Sequence, residues 1–397
     1  MAKKAPSPTK AQPLSFDFAA IDKEINSLGG FVPIEALDGS IYLDTGLTLL
    51  NAMLRPSLAE SVYQGGWMAS RSAEISGEAL TGKSLLCYKA IANAQALNGG
   101  GMLIDTENRF SRQLFRLHGG NTKANFRLYR PATLDRALQI IDQYVSEYLT
   151  YAERAYKSGA PTTPLVIALD SIAQIGTESA ADVKLKDGKM AQLPMSAASF
   201  WADFYRKPWL RQMGMIPGSQ LYFLTTNQLR SGMATSSFLP PAPTTPGGAI
   251  HKYSSTIRIR SSSMKLRETD SKGERKDAPL GVSLKFKTLK CDGAPFRHVI
   301  VPYTYHEGLD DDLCCLHYLT DNGYLPYSGG RVTIGGKKAP KDAWKNEMRR
   351  NPSFRKDIQT MAYDAFSDEC YYVAGDPEEI PPESISEEDE LESAPED

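Results

Sequence analysis

The chain has 397 residues, of which 41% are hydrophobic and 23% are charged, as in ordinary soluble globular proteins. No apolar run reaches the length of a transmembrane helix, and the N-terminal sequence MAKKAPSPTKAQP lacks the apolar stretch of a secretory signal. The five cysteines form no CxxC pair, and their odd number argues against a disulfide framework. These features argue against a membrane-spanning or disulfide-stapled protein and predict a cytoplasmic one with reduced cysteines.

The charge is distributed unevenly along the chain. Residues 376–397 contain 11 of the 47 acidic residues and no lysine or arginine, which leaves 36 acidic against 45 basic residues elsewhere, a formal charge of about +9. A basic body with an acidic, disordered tail favours a nucleic-acid-binding protein whose tail competes for its own basic surface. A tail that only increases solubility fits the same composition.

The chain divides into five predicted parts. After a basic tail, the sequence SFDFAAIDKEINSL predicts a short helix with Ser15 as its cap, which is either a packing element or an oligomerisation arm. Strand and helix signals then alternate, which favours an α/β domain with a largely parallel central sheet. The parts are a disordered tail (1–13), an N-terminal oligomerisation helix or arm (14–40), the α/β core (41–309), a small C-terminal α/β domain (310–375) and an acidic disordered tail (376–397).

Residues 77–84, GEALTGKS, match the spacing of a phosphate-binding loop. In such a loop, glycines let backbone N–H groups turn towards the phosphates, and Lys83 and Ser84 would reach the outer phosphates and a magnesium ion. Residues 73–76 predict a strand before the loop, and LLCYKAIANAQAL predicts a buried helix after it, ended by the glycines at 99–101. The phosphates would then lie at a helix N-terminus, which favours anions. The alternative is a glycine-rich turn that only joins a strand to a helix, but such a turn does not explain why Lys83 and Ser84 begin the helix.

A second motif, GGGMLIDTEN, follows the predicted helix. It reads as an apolar strand that ends in Asp105, with Glu107 two residues later. At the carboxyl edge of a parallel sheet, next to the phosphate loop, one of these carboxylates is placed to orient and deprotonate the water that attacks the γ-phosphate. An ordinary polar residue at a strand end is the alternative, and the position directly after the phosphate-loop helix favours the catalytic interpretation.

Two further apolar strands end in polar residues. PLVIALDS leads to Asp170, where nucleoside triphosphatases keep the acid of the magnesium shell. SQLYFLTTNQLRSG leads to Asn227 and Gln228, amides that can hydrogen-bond the γ-phosphate or its water and report the nucleotide state. The segment that follows, MATSSFLPPAPTTPGG, is long, poor in charge and contains one aromatic residue, Phe238, which indicates a functional or disordered loop.

The order GEALTGKS, LIDTEN, LVIALDS, LTTNQLR, a mobile loop and TTPGGAIHKYSSTIRIR resembles the RecA family of homologous recombinases. The likeness runs from about residue 44 to about residue 366 and includes GAPFRHVIVPYTYHEGLDDD, similar to a strand and turn of the family. It implies a RecA-type P-loop ATPase core and an ATP-dependent recombinase that forms a helical filament on single-stranded DNA and promotes strand exchange in DNA repair. The divergence between the motifs suggests a phage-type or otherwise distant member, acting in a bacterial cell or a phage-infected host.

The resemblance implies ATP and Mg²⁺ as ligands, with ATP at the interface between subunits. Glu107 would polarise the attacking water, Asp170 would support the metal together with Ser84, and Gln228 would couple the γ-phosphate to the DNA-binding loop. The residues that would contact the nucleotide in the phosphate loop are Gly77, Glu78, Ala79, Leu80, Thr81, Gly82, Lys83, Ser84 and Leu85.

The resemblance also implies two DNA-binding loops. The first covers about residues 178–195 and the second about residues 231–246, closed by two glycines. Lysines of the first loop can meet phosphates, and the aromatic ring of the second is available to the bases. The implied DNA-binding residues are Lys184, Lys186, Lys189, Met195, Arg206, Arg230, Phe238, Gly247 and Gly248.

Three features depart from the family's pattern. Lys287 and Lys290 match paired lysines that reach the γ-phosphate of a neighbouring subunit, but their spacing differs by one residue, so solvated strand lysines are an equal alternative. Leu114 occupies the place where the family stacks adenine on a tyrosine, with Phe115 beside it. His306 replaces a small residue of a turn, and we interpret it as structural.

Two other functions compete with the recombinase. A ring helicase with a RecA-type fold would use the same nucleotide site for translocation, but the N-terminal helix, the second loop and the C-terminal module favour the recombinase. A DNA-binding mediator with a vestigial ATP site is disfavoured by the complete set Lys83, Ser84, Glu107 and Asp170. The expected partners are single-stranded and homologous duplex DNA, further copies of the chain, and single-strand-binding and loader proteins.

Overall fold

A computed structural model describes residues 41–55, 65–177, 192–208, 214–229, 244–266, 281–291, 294 and 296–370. The predicted N-terminal helix, both predicted tails and most of the two predicted DNA loops lie outside these residues. The predicted DNA-binding residues that fall outside are Lys184, Lys186, Lys189, Arg230 and Phe238, together with the side chain of Met195.

The described chain contains strands and helices in alternation. The strands are β1 Tyr42–Leu43, β2 Trp67–Met68, β3 Arg71–Gly77, β4 Gly100–Asp105, β5 Phe126–Tyr129, β6 Leu165–Asp170, β7 Leu221–Gln228, β8 Ile257–Leu266, β9 Gly281–Cys291, β10 His298–Thr304, β11 Gly308–Leu309, β12 Tyr327–Ser328, β13 Arg331–Ile334 and β14 Lys337–Ala339. The helices are α1 Thr48–Met53, α2 Lys83–Ala96, α3 Arg112–Leu117, α4 Leu134–Ser158, α5 Gln192–Arg206, α6 Gly248–Ser254, α7 Asp311–Asp321, α8 Lys341–Arg350 and α9 Pro352–Cys370.

A nine-stranded sheet with the order β11-β10-β9-β8-β3-β7-β6-β4-β5 forms the centre of the fold. The six neighbouring strands β8, β3, β7, β6, β4 and β5 pair in parallel. The strands β8, β9, β10 and β11 pair antiparallel. The predicted α/β fold with a mostly parallel central sheet is therefore confirmed. The order places β3, β7, β6 and β4 side by side, so their carboxyl ends share one edge of the sheet.

The central parallel strands β3, β4, β6 and β7 are buried on both faces. Because successive side chains of a strand point to opposite faces, Leu103 and Ala168 join the core on the α2 side, while Ile104 and Leu169 join the core beneath α4 and α5. This arrangement explains why these strands read as continuous apolar runs without alternation. Among the described residues, no helix combines the length and apolarity needed to cross a membrane.

The end of α2 differs from the prediction. The helix ends at Ala96, and Asn98 adopts the left-handed conformation (φ +59°) that was expected of the glycines at 99–101. Gly100 begins β4, and a Cβ on Gly99 would lie 2.1 Å from the Pro164 carbonyl oxygen. The glycines therefore allow close approach of backbones where the chain enters the sheet, and asparagine terminates the helix.

The residues after 310 pack onto the same core as α1. Helices α7, α8 and α9 contribute to the hydrophobic cluster on the α2 side, next to a three-stranded sheet of β12 to β14. The buried carboxylate of Asp311 accepts hydrogen bonds from Thr48 N at 2.7 Å, Thr48 Oγ1 at 2.8 Å and Gln359 Nε2 at 2.8 Å. These contacts tie the C-terminal segment to the core, and the domain boundary at residue 310 stays a prediction.

Three of the described cysteines lie in the interior. Cys87, Cys314 and Cys315 are buried and free, and burial raises the pKa of each thiol well above its ordinary value. A buried, protonated thiol behaves as a small apolar side chain and reacts slowly.

We expect His118 to make stability depend on pH. Its Nδ1 lies 2.7 Å from the Leu114 carbonyl and its Nε2 accepts from Leu309 N at 3.3 Å, which requires the neutral ring. Burial lowers the pKa of His118 below 6.5, so its contribution to stability is present at neutral pH and is lost as the pH falls below 6.5. His118→Gln should reduce the slope of unfolding free energy between pH 7 and 5 by up to about 1.4 kcal/mol per pH unit, measured by urea unfolding.

The matched control is His306→Gln, because His306 is exposed. If the slope of unfolding free energy against pH is unchanged in His118→Gln, His118 does not make stability depend on pH.

Candidate nucleotide site

The phosphate loop joins β3 to α2 and folds as its glycines require. Gly82 has a left-handed φ of +83°, and a Cβ there would lie 2.5 Å from Leu284 Cδ1. A Cβ on Gly77 would lie 2.2 Å from Ser261 Oγ. Since α2 begins at residue 83, the unpaired N–H groups of its first turn lie directly beside the loop.

The other residues of the loop occupy different environments. Glu78, Ala79 and Leu80 form an exposed tip, and Leu80 is 90% exposed with a φ of +60°. Thr81 is buried, and its Oγ1 donates to the Glu78 carbonyl at 2.8 Å. Leu85 packs against the core on the α2 side. The tip is therefore the accessible part of the loop.

Lys83 folds back onto the loop. Its Nζ donates to the Gly77 carbonyl at 3.0 Å and to the Glu78 carbonyl at 2.6 Å. Burial lowers the pKa of Lys83, although the nearby Asp170 and Glu107 carboxylates oppose this shift. An ammonium group held only by carbonyl dipoles at the mouth of a helix N-terminus is suited to exchange these partners for phosphate oxygens.

Asp170 ends β6 beside the start of α2. It is buried, and its carboxylate accepts hydrogen bonds from Ser84 and Thr226. Burial raises the pKa of Asp170, and the neighbouring Glu107 and Asp105 raise it further. A divalent cation beside Ser84 would favour the charged form of this carboxylate, so the donor set fits a magnesium ion.

Within the described ranges, no cluster of three His, Cys, Asp or Glu side chains could hold a metal ion by itself. Mg²⁺ bound at this site would therefore need phosphate and water oxygens in addition to Ser84 and Asp170, as is usual for Mg²⁺ in proteins.

Glu107 is held from two neighbouring strands. Its Oε1 accepts from Gln228 Nε2 at 2.8 Å and from Ser171 Oγ at 2.6 Å, and Arg109 Nη1 lies 3.5 Å from Oε2. The structure thus brings together the ends of β4, β6 and β7 around one carboxylate.

Asp105, the other carboxylate of the motif, has a different environment. Its side chain accepts from the backbone N–H groups of Arg109 and Phe110, each at 3.1 Å. Arg130 donates to Oδ2 from Nε at 3.0 Å and from Nη2 at 2.9 Å. With four donors around it, Asp105 holds the chain after β4 in place, which leaves Glu107 as the candidate catalytic carboxylate.

The described ends of the predicted DNA loops lie on α5 and α6. Gly247 and Gly248 have φ values of +119° and +67° at the start of α6, and a Cβ on Gly247 would lie 2.8 Å from Trp201 Cδ1. Arg206 ends α5, exposed and 3.8 Å from Asp203. These glycines allow the loop to return closely against α5.

A β-bulge offsets the unusual spacing of the two lysines. In the register of β8 and β9, Lys287 lies opposite Arg260 and Lys290 lies opposite Arg258, with Leu289 as the extra residue. Because Arg258 and Arg260 are two residues apart in a strand, both lysines are on the same face of the sheet. Lys290 Nζ donates to the Tyr253 carbonyl at 2.7 Å, whereas Lys287 is exposed.

The structure restricts how adenine can be held. Phe115, the aromatic residue beside the expected position, is fully buried in an aromatic cluster with Tyr88, Phe110 and Phe126. It is therefore not accessible to a base. Leu114 is only partly buried and packs at the edge of the core, so the accessible side chain at this position is aliphatic.

Sequence patterns did not identify Ser171 and Thr226, which hold the Glu107 and Asp170 carboxylates. Each hydroxyl residue lies next to a predicted site residue in the chain, Ser171 after Asp170 and Thr226 before Asn227. A hydroxyl residue beside a strand-end carboxylate or amide is the signal that could have indicated them.

A phosphate loop between a strand and a helix, with carboxylates at the ends of the neighbouring strands, defines a P-loop nucleoside triphosphatase. The family model described as RecA N-terminal domain matches residues 53–310. Curated relatives include the protein RecA of Corynebacterium aurimucosum, 27% identical over 306 residues, which is 75% of this chain and 72% of that protein.

The RecA of Acidothermus cellulolyticus is 27% identical over 335 residues, 82% of this chain and 83% of that protein. The RecA of Chloroflexus aggregans is 24% identical over 367 residues, 89% of this chain and 92% of that protein. Since the family match covers more than half of the chain, the chain belongs to the RecA family. It is a RecA-type recombinase of a family whose members are DNA-dependent ATPases that use ATP and Mg²⁺, and the ring-helicase alternative is not favoured.

We expect Asp105→Asn to lower the free energy of unfolding by about 2 kcal/mol, because the amide cannot accept all four hydrogen bonds and loses the charge opposite Arg130. Urea unfolding followed by circular dichroism measures the change. Glu107→Gln, an equally conservative change nearby, is the control and should shift the value by less than about 1 kcal/mol. Equal losses in the two variants would contradict the different roles of the two carboxylates.

Proposed function

We propose that this chain hydrolyses ATP in response to single-stranded DNA and uses the hydrolysis to reset a helical filament that pairs homologous strands. The 2.8 Å hydrogen bond between Gln228 Nε2 and Glu107 Oε1 is the observation that carries this proposal. It joins the candidate catalytic carboxylate to the strand that leads into the second predicted DNA loop.

The phosphate loop and the start of α2 would bind the triphosphate. Lys83 would leave the Gly77 and Glu78 carbonyls, to which it now donates, and pair with the outer phosphates. Ser84 and Asp170 would hold Mg²⁺, which supplies positive charge next to the phosphate oxygens. The N–H groups of the helix N-terminus add further donors for the phosphates.

Glu107 would orient and polarise the attacking water. Because Ser171 and Gln228 both donate to Oε1, the carboxylate is fixed in direction, and Oε2, which lies 3.5 Å from Arg109 Nη1, would accept the water proton. The water oxygen then bonds to the γ-phosphorus as the bond to the ADP oxygen breaks. Most of the catalysis in this chemistry comes from positioning and from charge stabilisation, for which Lys83 is placed.

Gln228 would act as the switch between nucleotide and DNA. With a γ-phosphate present, its amide has a second acceptor next to Glu107, and the end of β7 is drawn towards the nucleotide. Loss of the phosphate would release Gln228 and loosen the second predicted DNA loop, which follows β7. An ordered segment that depends on a γ-phosphate is a known form of nucleotide switch.

Lys287 would act on the ATP of a neighbouring subunit. The bulge places it on the same sheet face as Lys290, Arg258 and Arg260. Two of these cations are engaged within the chain, Arg258 with Glu74 Oε2 at 2.7 Å and Lys290 with the Tyr253 carbonyl. A cation that a neighbouring subunit supplies to the transferring phosphoryl group can raise the rate of phosphoryl transfer by large factors.

The two loops would bind the DNA backbone and leave the bases free to sample a duplex. Gly247 and Gly248 close the second loop against α5, and Arg206 at the end of α5 is exposed for a phosphate contact. Sequence recognition would come from base pairing between the strands, so the protein needs no side-chain code for bases.

We expect Glu107→Gln to lower DNA-stimulated ATP turnover by about 100-fold or more, because the amide cannot accept the water proton. Phosphate release with and without single-stranded DNA measures this, and negative-stain images of the same samples should show long filaments that persist on the variant. Asp105→Asn is the matched control and should retain turnover. Closed rings, or turnover that does not respond to DNA in the unmodified chain, would contradict the proposal.

Lys287→Ala should lower DNA-stimulated turnover by about 10- to 1000-fold, whereas Lys290→Ala should have a smaller effect because its ammonium group is held by the Tyr253 carbonyl. Mixing Lys287→Ala with Lys83→Ala subunits tests the role in trans. Where a Lys83→Ala subunit contacts the nucleotide site of a Lys287→Ala subunit, it supplies an intact Lys287 to a site with an intact Lys83. ATP turnover should therefore partly recover in the mixture. Absence of recovery would mean that Lys287 acts within its own subunit or not at all.

A further inference from the structure

A buried polar cluster lies on the sheet face opposite the phosphate loop. Its members are Asn227 of β7, Glu74 of β3, His251 of α6, Arg258 of β8 and Trp201 of α5. Glu74, Asn227, His251 and Trp201 are at most 1% exposed, so the cluster belongs to the interior. The mechanism above uses none of these side chains for binding or chemistry.

Asn227 makes two hydrogen bonds from a single nitrogen atom. Its Nδ2 donates to Glu74 Oε1 at 2.7 Å and to the Pro246 carbonyl at 2.8 Å. Glu74 lies in the strand that enters the phosphate loop, and Pro246 precedes the two glycines that close the second predicted DNA loop. One amide group therefore connects the strand that enters the phosphate loop to the end of that predicted DNA loop.

Arg258 and His251 hold Glu74 in place. Arg258 Nε donates to its Oε2 at 2.7 Å, and His251 Nε2 lies 3.5 Å from its Oε1. Burial alone would raise the pKa of Glu74, but the contacts with His251 and Arg258 outweigh it and lower the pKa to about 2. The carboxylate is therefore charged at neutral pH and is a strong acceptor for Asn227.

The same cluster extends to α5, which follows the first predicted DNA loop. The rings of Trp201 and His251 stack with centroids 3.7 Å apart and an angle of 7°. A Cβ on Gly247 would meet the same indole at 2.8 Å. A shift of Pro246 and Gly247 would therefore displace Trp201, and with it the helix that carries Arg206.

Asn227 and Gln228 are adjacent in β7 and point to opposite faces of the sheet. Gln228 reaches Glu107 on the nucleotide side, and Asn227 reaches Pro246 on the loop side. A displacement of the strand end by the γ-phosphate is therefore transmitted to the loop anchor without an intervening flexible segment.

Two buried polar atoms of the cluster have no hydrogen-bond partner among the described residues. They are Asn227 Oδ1 and Trp201 Nε1. Leaving such atoms unpaired costs free energy, so the cluster keeps donor and acceptor capacity that a second arrangement of the loop anchor can use.

We propose that Asn227 is a positioning residue that transmits the state of Gln228 to the second DNA loop through its bonds to Glu74 and Pro246. This inference rests on the proposed function, because it concerns how the same nucleotide site controls DNA affinity. The coupling is the ratio of two dissociation constants for single-stranded DNA, one measured with ADP and one with a slowly hydrolysed ATP analogue.

Fluorescence anisotropy with a labelled oligonucleotide and the full chain measures this ratio. Asn227→Ala should lower the ratio by about tenfold, a typical size for a coupling between two sites. Without DNA, its affinity for the ATP analogue should stay within about twofold, since Asn227 does not reach the phosphate loop. Thr225→Val is the matched control, because Thr225 is a buried residue of the same strand and face whose Oγ1 donates to the Ala73 carbonyl at 3.4 Å.

A charge swap separates coupling from stability. Asn227→Asp alone places two carboxylates together and should destabilise the chain, whereas Asn227→Asp combined with Glu74→Gln restores one carboxylate and one amide across the same contact. The double variant has no N–H to donate to Pro246, so its melting temperature should recover relative to Asn227→Asp while the ratio stays low.

If the double variant recovers the ratio of dissociation constants as well as the melting temperature, the proposal is overturned. An unchanged ratio in Asn227→Ala would also overturn it. A ratio near one in the unmodified chain would overturn the proposed function together with this link. A high ratio in the unmodified chain that survives in Asn227→Ala would overturn the link alone.

Discussion

In the proposed mechanism, communication between nucleotide and DNA depends on one acceptor atom, Glu107 Oε1. Two donors from different strands, Ser171 Oγ at 2.6 Å and Gln228 Nε2 at 2.8 Å, converge on it. The atom can hold both only because β4, β6 and β7 are neighbours in a parallel sheet and end at the same edge. A carboxylate that is fixed in this way is ready for chemistry and is also sensitive to any movement of β7.

The parallel strands of the sheet are buried on both faces, which gives the site two separate sides. On one side the phosphate loop and α2 cover β3, and on the other α5 and α6 carry the described ends of the predicted DNA loops. Alternation along β7 sends Gln228 to the first side and Asn227 to the second. A strand buried on both faces transmits a shift because close-packed interiors do not absorb it.

Sequence reasoning predicted the fold and the set of residues that meet at the sheet edge, since apolar runs, glycine spacing and strand-end carboxylates are local signals. It did not distinguish Asp105 from Glu107 on physical grounds, because the Arg130 partner that engages Asp105 is a tertiary contact. The bulge at Leu289 depends on the pairing of β9 with β8, so the sequence of β9 alone does not predict it. The buried contact between Glu74 and His251 joins residues far apart in the chain, and only the folded sheet shows it.

The most direct test of a nucleotide-driven recombinase is strand exchange between a single strand and a labelled duplex, measured with homologous and heterologous duplexes in ATP and in ADP. We expect displacement of the labelled strand only from the homologous duplex and only with ATP, since pairing supplies the recognition and the γ-phosphate supplies the active state. Equal displacement from the heterologous duplex would identify a translocating motor instead, and exchange that is the same in ADP would contradict the coupling through Glu107 and Gln228.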